Sequence, residues 1–329
     1  MGTKTPSRYQ RNLPNFLIVG APKCGTTALY YYLGQHPEIY MSPAKEPHFF
    51  STTHPDDSQI IRQMYPHPLS NFIRDIHRYR ELFAGATTEK AVGEASTSYL
   101  YYKDLSITNI KRFLPDWKDV KIIIILRNPI EASYSHYLMY RASGKEPLTF
   151  EEAFYAQAKR ISEGYLTLAH FDRFRYTPQI RAYQEQFDRV KILFFDDLRD
   201  NLPALLQEVF GFLEVERGFL PPRLDRFNAT GIPKHQWVHH LLFRDNSFKR
   251  FLRPLIRLIV PKMHRATLKE KIKVKNITKP PMSENMQKIL RDYFREDIRL
   301  LEEVVHRDLN CWLRNRTREG ETLQCNTTI

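Results

Sequence analysis

One stretch of the sequence sets an apolar run, two glycines, a lysine and two threonines in close order: Phe16-Leu17-Ile18-Val19-Gly20-Ala21-Pro22-Lys23-Cys24-Gly25-Thr26-Thr27. The apolar residues predict a buried strand, the glycines a tight loop, and Thr26 the start of a helix. A helix start turns unpaired N–H groups and the positive end of its dipole outward, which makes a cradle for a phosphate. Gly20 and Gly25 let the backbone approach without a Cβ in the way. Lys23 adds a full positive charge, Thr26 and Thr27 add hydroxyl donors, and Cys24 lies within the loop. In the usual nucleoside-triphosphatase loop the lysine follows the second glycine. Here Thr26 takes that slot and Lys23 lies inside the loop, so its ammonium reaches the phosphate from a different side. An ordinary Gly-x-Pro turn is the competing reading.

A second segment, Leu126-Arg127-Asn128-Pro129-Ile130-Glu131-Ala132-Ser133-Tyr134-Ser135, follows a run of isoleucines. Arg127 falls at a strand's carboxyl end, and Ser135 about two turns into the next helix. A guanidinium with a nearby hydroxyl clamps a terminal phosphate through paired, charge-assisted bonds. Alone, the segment also fits a surface arginine and an ordinary helical serine.

The elements around these residues read as alternating strands and helices. Lys121–Leu126 is a β-branched run suited to a central parallel strand buried on both faces. Ala91–Glu94 and Val190–Phe195 are further strands. Helices are predicted over Thr26–Gln35, Asn71–Phe83, Ile107–Leu114, Pro129–Arg141, Phe150–Ser162, Pro178–Phe187 and Pro203–Leu213. Met41–Pro55 reads as an extended loop, and Ser283 caps a long C-terminal helix. The pattern predicts an α/β fold with a central, mainly parallel sheet and a helical C-terminal part. Ligands in such sheets gather at the carboxyl ends of the strands, where both segments fall. A flexible 1–14, one domain over 15–313 and a tail over 314–329 are expected.

The chain has 329 residues, 50 of them Lys or Arg against 37 Asp or Glu, for a formal charge of +13. That excess suits an anionic ligand, an acidic acceptor, an anionic membrane face or nucleic acid, without choosing among them. Residues 244–279 hold twelve Lys or Arg and two acids, a stretch that could dock an acidic glycan or a membrane surface. Cys24, Cys311 and Cys325 are too few and too scattered for a disulfide framework and fit a reducing compartment. No apolar leader or membrane-length run is evident, so a cytoplasmic location is expected. His235, His239 and His240 include one pair at metal-ligand spacing, but no cysteine or acidic cluster supports a site, and no metal is expected.

Taken together, the two segments resemble the sulfotransferases that use 3′-phosphoadenosine 5′-phosphosulfate. Gly20 to Thr27 is similar to the family's 5′-phosphosulfate loop. Arg127-Asn128-Pro129 with Ser135 is similar to its 3′-phosphate segment, with the spacing kept. Val190 to Leu198 resembles a family strand that ends in Tyr-Glu-Asp-Leu, with Phe195 in place of the tyrosine. The resemblance covers roughly 15–213 well and implies a fold akin to nucleotide kinases. It implies that Lys23, Cys24, Gly25, Thr26, Thr27, Arg127, Ser135 and Phe195 contact the donor. Gly231-Ile232-Pro233-Lys234 substitutes for a glycine-rich phosphate loop of cytosolic members that is not evident here, placing Gly231 and Lys234 with the same group.

Sulfuryl transfer also needs a base for the acceptor's proton. Many cytosolic members use a histidine after a strand, and Val92-Gly93-Glu94-Ala95-Ser96-Thr97 has none. Lys45-Glu46-Pro47-His48-Phe49-Phe50 instead resembles the segment of heparan-sulfate-type members in which glutamate is the base. Glu46 is therefore assigned as base, in an apolar setting that Phe49 and Phe50 would supply and that could raise its pKa. Lys23 would stabilise the departing phosphate. His48 is the alternative base or an orienting partner, and Glu94 with Ser96 would shape the acceptor pocket.

The expected reaction is sulfuryl transfer to a hydroxyl, less readily an amine, of a carbohydrate or glycan-like acceptor. A small-molecule, lipid or natural-product acceptor is the alternative within the class. A phosphate-loop kinase would need the missing lysine and an Mg²⁺-holding acid, for which Asp196 and Asp197 are the only candidates. A nucleic-acid binder would exploit the net charge, but no recognition helix or aromatic RNA motif supports it.

Overall fold

The computed structural model describes residues 13–53, 72–223, 232–233 and 277–314. Its centre is a sheet of five parallel strands: β1 (Phe16–Gly20), β2 (Ile39–Met41), β3 (Ala91–Ala95), β4 (Lys121–Leu126) and β5 (Val190–Phe194), in the order β2-β3-β1-β4-β5. Every residue of β1, β3 and β4 is buried. Alternate side chains leave opposite faces of a strand, so both faces of the sheet are covered. The isoleucines of β4 run beside β5 in continuous register from Ile122 opposite Val190 to Leu126 opposite Phe194.

Helices supply the cover. They are α1 (Thr26–Leu33), α2 (Phe49–Thr52), α3 (Ile76–Glu81), α4 (Ser98–Tyr101), α5 (Lys103–Phe113), α6 (Pro129–Ala142), α7 (Phe150–Ser162), α8 (Tyr176–Gln184), α9 (Phe195–Asp200), α10 (Leu202–Leu213) and α11 (Glu284–Val305). Proline occupies the first turn of α6, where its missing N–H costs nothing, and Asn128 accepts from the Ile130 N–H as its cap. Ser283 caps α11 by accepting from the Met286 N–H. Across the structure, Asp297 of α11 accepts from the backbone N–H groups of Tyr176 and Thr177, capping α8. A short antiparallel pair, β6 (Ile232–Pro233) with β7 (Ile277–Thr278), stands apart from the main sheet.

Three local expectations change. The extended loop over Met41–Pro55 contains α2, because Phe49 and Phe50 are fully buried and pack on Tyr79, with Phe49 stacked at 4.3 Å. The helix expected over Asn71–Phe83 is confined to α3, since Asp75 caps it by accepting from the Arg78 N–H. The helix expected to begin at Ile107 begins at Lys103. Cys311 is disulfide-bonded, contrary to the reading of the sparse cysteines, while Cys24 is free and buried. Among the described residues no helix is long and apolar enough to cross a membrane.

Candidate active site

The five strands point their carboxyl ends to one edge of the sheet, and the sequence's chemical residues collect there. The loop after β1 is fastened to β4 by the Ala21 N–H, which donates to the Ile125 carbonyl at 2.9 Å. Lys23 and Gly25 both adopt positive φ, 65° and 96°. A Cβ on Gly25 would lie 2.7 Å from Leu198 and 3.0 Å from Phe195, so glycine is required by conformation and by space. Among the described residues no side chain caps α1. Its first N–H groups are left for an anion. Thr26 is buried and Thr27 half-buried, and the Lys23 Nζ lies 3.9 Å from the Met139 sulfur.

Arg127 leaves the end of β4 and meets this loop directly. Its Nη1 donates to the Lys23 carbonyl at 3.3 Å. Its Nε and Nη2 pair with Glu131 one helical turn on, the latter at 2.8 Å. The guanidinium lies 4.6 Å from the centre of the Phe195 ring, a cation–π contact. Phe195 therefore sits against both Gly25 and Arg127, as the first residue of α9 rather than the last of the strand. From beneath, the Tyr176 hydroxyl donates to the Arg127 carbonyl at 2.9 Å and lies 3.5 Å from Cys24 Sγ. Burial pushes the Cys24 thiol up to about 12, so it is no nucleophile. Ser135 is 1 % exposed, and its Oγ has no partner among the described residues.

The carboxylates lie beyond the other side of β1. The turn after β2 brings Glu46 to β3, where its N–H donates to the Ala95 carbonyl at 2.9 Å. The side chain, 28 % exposed, accepts from the Thr97 N–H at 2.9 Å, from the Thr97 hydroxyl at 3.2 Å and from Lys45 Nζ at 2.8 Å. Burial would raise its pKa, but the charges of Lys45 and His48 and these hydrogen bonds outweigh it and hold the carboxyl below the usual value. That reverses the upward shift expected from Phe49 and Phe50, because the sequence did not show the donors. The His48 Nδ1 lies 2.7 Å from the Ser98 hydroxyl, and its Nε2 lies 3.7 Å from Glu46. Burial keeps His48 below its usual pKa.

Glu94 and Ser96, expected at the acceptor pocket, are instead fully buried. Glu94 accepts from Tyr79, Tyr99 and Ser96 at 3.1, 2.6 and 2.9 Å. Burial, opposed by these three donors, pushes its pKa up to about 7. Ser96 Oγ in turn accepts from the His48 N–H at 3.1 Å. These two residues form a floor under the Glu46–His48 turn and do not line a surface. Gly231 and Lys234, the histidines near 235–240 and nearly all of 244–279 lie outside the described residues. Asp196 and Asp197 pair with Arg199 and Arg307.

Sequence reading missed Tyr176, Glu131 and Thr97. Glu131, four residues after Arg127, could have been found from helical pairing. Nothing local marks Tyr176, which reaches Arg127 only through the packing of α8 on the sheet.

A parallel α/β sheet with an uncapped helix start, a lysine loop and an arginine clamp at its carboxyl edge defines a binder of phosphorylated nucleotides. Residues 13–301 match the family model described as "Sulfotransferase domain". The chain belongs to the sulfotransferase family, whose donor is 3′-phosphoadenosine 5′-phosphosulfate. It is 32 % identical to mouse carbohydrate sulfotransferase 15 over 167 residues, 43 % of this chain and 30 % of that protein. It is 25 % identical to human bifunctional heparan sulfate N-deacetylase/N-sulfotransferase 3 over 323 residues, 93 % of this chain and 32 % of that one. The alignments thus span about a third of these relatives' length. The crystal structure of a sulfotransferase from Alicyclobacillus acidocaldarius superposes with a TM-score of 0.65 at 28 % identity, covering 92 % of this chain and 99 % of that one.

The residues present fit the donor. The partnerless Ser135 hydroxyl, the Gly25 cradle and the open start of α1 are the features a doubly phosphorylated nucleotide would complete.

Proposed function

We propose that this chain moves the sulfuryl group from 3′-phosphoadenosine 5′-phosphosulfate to a carbohydrate hydroxyl, with Glu46 as the base. The observation that carries this reading is the ionised Glu46 carboxylate held by Thr97 and Lys45 at the same sheet edge as Lys23. The acceptor oxygen forms a bond to sulfur as the bond from sulfur to the 5′-phosphate oxygen breaks. Glu46 takes the acceptor's proton. Lys23 and the N–H groups of α1 offset the charge growing on the departing phosphate. Arg127, Ser135 and Phe195 hold the 3′-phosphate end. Glu94 and Ser96 support the His48 backbone. The names of two relatives, a carbohydrate sulfotransferase and a heparan sulfate N-sulfotransferase, favour a glycan over other acceptors. One continuous core from Leu13 to Trp312 supports a single domain over 15–313.

The test is transfer of labelled sulfate to desulfated chondroitin, heparosan, N-desulfated heparin and 4-nitrophenol. Labelling of a polysaccharide supports the reading. Labelling of 4-nitrophenol alone transfers it to small-molecule acceptors, and labelling only of the free amines of N-desulfated heparin changes O- to N-sulfation.

A further inference from the structure

A buried chain of polar groups runs from α7 to the face of α6 beside the loop lysine. Arg160 pairs with Glu146 through both guanidinium nitrogens at 2.6 and 2.9 Å. Glu146 Oε2 lies 2.8 Å from His170 Nε2, and His170 Nδ1 lies 2.8 Å from His136 Nδ1. Glu146, His170 and His136 are 1 %, 0 % and 3 % exposed.

The proton positions along this chain follow from elementary bookkeeping. Burial is outweighed by His170 and Arg160, which bring Glu146 down to about 2, so it is an ionised acceptor. Burial keeps both imidazoles neutral: His170 is held below its usual pKa, and His136 well below, with the charges of Arg173 and Lys23 adding to the effect. A neutral His170 that donates from Nε2 has a lone pair on Nδ1. The short contact between the two Nδ1 atoms then needs the proton of His136 Nδ1. His136 is left with a lone pair on Nε2. That atom has no hydrogen-bond partner among the described residues.

Its surroundings are those of the reaction. Met139, one turn further along α6, touches the Lys23 ammonium, and the Tyr140 ring lies 4.8 Å from His136. The charge of Arg173 bears on both His136 and His48, and that of Glu46 on Tyr140. His136 thus lies one helical turn from the residue that touches the loop lysine, packed against Tyr140.

We propose that His136 is an acceptor-binding residue: its Nε2 receives a hydrogen bond from a second hydroxyl of a polyhydroxylated acceptor, and the Glu146–His170 pair fixes the one tautomer that can receive it. This rests on the glycan reading of the site. It explains why a buried carboxylate is held against a pair of histidines on the helix beside the loop lysine. Glu46 takes the proton of the reacting hydroxyl, while His136 orients the sugar by a neighbouring one.

The test uses ¹⁵N-histidine spectra and saturation-transfer NMR on the full chain with adenosine 3′,5′-bisphosphate bound, with methyl β-D-galactopyranoside as the probe. In the wild type, His136 should show a protonated Nδ1 and a bare Nε2, and the sugar should receive saturation. His136→Phe should lose that transfer at least tenfold while nucleotide affinity stays within twofold. Glu146→Gln should place a proton on Nε2 and lose sugar contact although no atom at the sugar has changed. A protonated Nε2 in the wild type, absence of sugar contact there, or equal contact in His136→Phe would overturn the proposal. The wild-type spectrum decides the tautomer even where a variant fails to fold. If the polysaccharides above are sulfated but His136→Phe binds the sugar normally, the glycan reading stands and this inference falls.

Discussion

Arg127 donates to the backbone carbonyl of Lys23 at 3.3 Å, so the residue that ends β4 fixes the loop that follows β1. The two segments assigned to opposite ends of the donor are therefore in contact. Glu131 and Phe195 hold the guanidinium in place from two further directions. Such a clamp loses little side-chain freedom when a phosphate arrives.

Arg127→Ala should weaken adenosine 3′,5′-bisphosphate roughly 10- to 150-fold, from about 1.5–3 kcal/mol for hydrogen bonds to a charged group. Calorimetry with adenosine 5′-phosphosulfate, which lacks the 3′-phosphate, should show a much smaller loss. An equal loss for both nucleotides would remove Arg127 from the 3′-phosphate.

Ser135→Ala separates stability from binding. The Ser135 hydroxyl is buried without a partner among the described residues, and removing an unsatisfied polar group costs a folded protein nothing. The melting temperature of the free variant should equal or exceed that of the wild type. The added stability conferred by adenosine 3′,5′-bisphosphate should shrink, because the hydroxyl then loses its one use.

Glu46→Gln should lower turnover about 10²- to 10⁴-fold, the range for a positioned base, with nucleotide affinity nearly unchanged. The pH profile gives an independent check. Glu46 has a lowered pKa, so its base form persists as pH falls and is lost only below the ordinary carboxylate value of 4.5. The acid limb of kcat/KM should lie below that point. A limb near 7 would point to Glu94.

Glu94 makes a prediction of the opposite sign. Its folded pKa, about 7, is above the ordinary 4.5, so the native state binds the proton more tightly than the unfolded chain does. The associated stability is present below about pH 4.5 and is lost as pH rises toward 7. Glu94→Gln, which mimics the protonated form, should remove this slope and raise the melting temperature at pH 8 relative to pH 5. Melting curves at the two pH values measure it, and an unchanged difference between them would contradict the assignment.

Much of this was legible in the residues themselves. The isoleucine run fixed β4 at both ends, Pro129 and Ser283 marked helix starts, and the glycines and lysine of the first loop announced an anion site. These are local signals: they depend on neighbours a few residues away and on backbone conformations that few residue types allow. The sequence also named Glu46 from a resemblance, but not its charge state. Thr97 and Ala95 hold Glu46 only because β3 lies between β2 and β1, an order no local pattern encodes. Glu94 sank from pocket wall to floor for the same reason, once Tyr79 and Tyr99 closed over it. Tyr176, capped by Asp297 from the last helix, reached Arg127 through packing between segments far apart in the chain. Local chemistry determined which groups could act on a phosphate; strand order and helix packing decided which of them meet, and so which carry a proton.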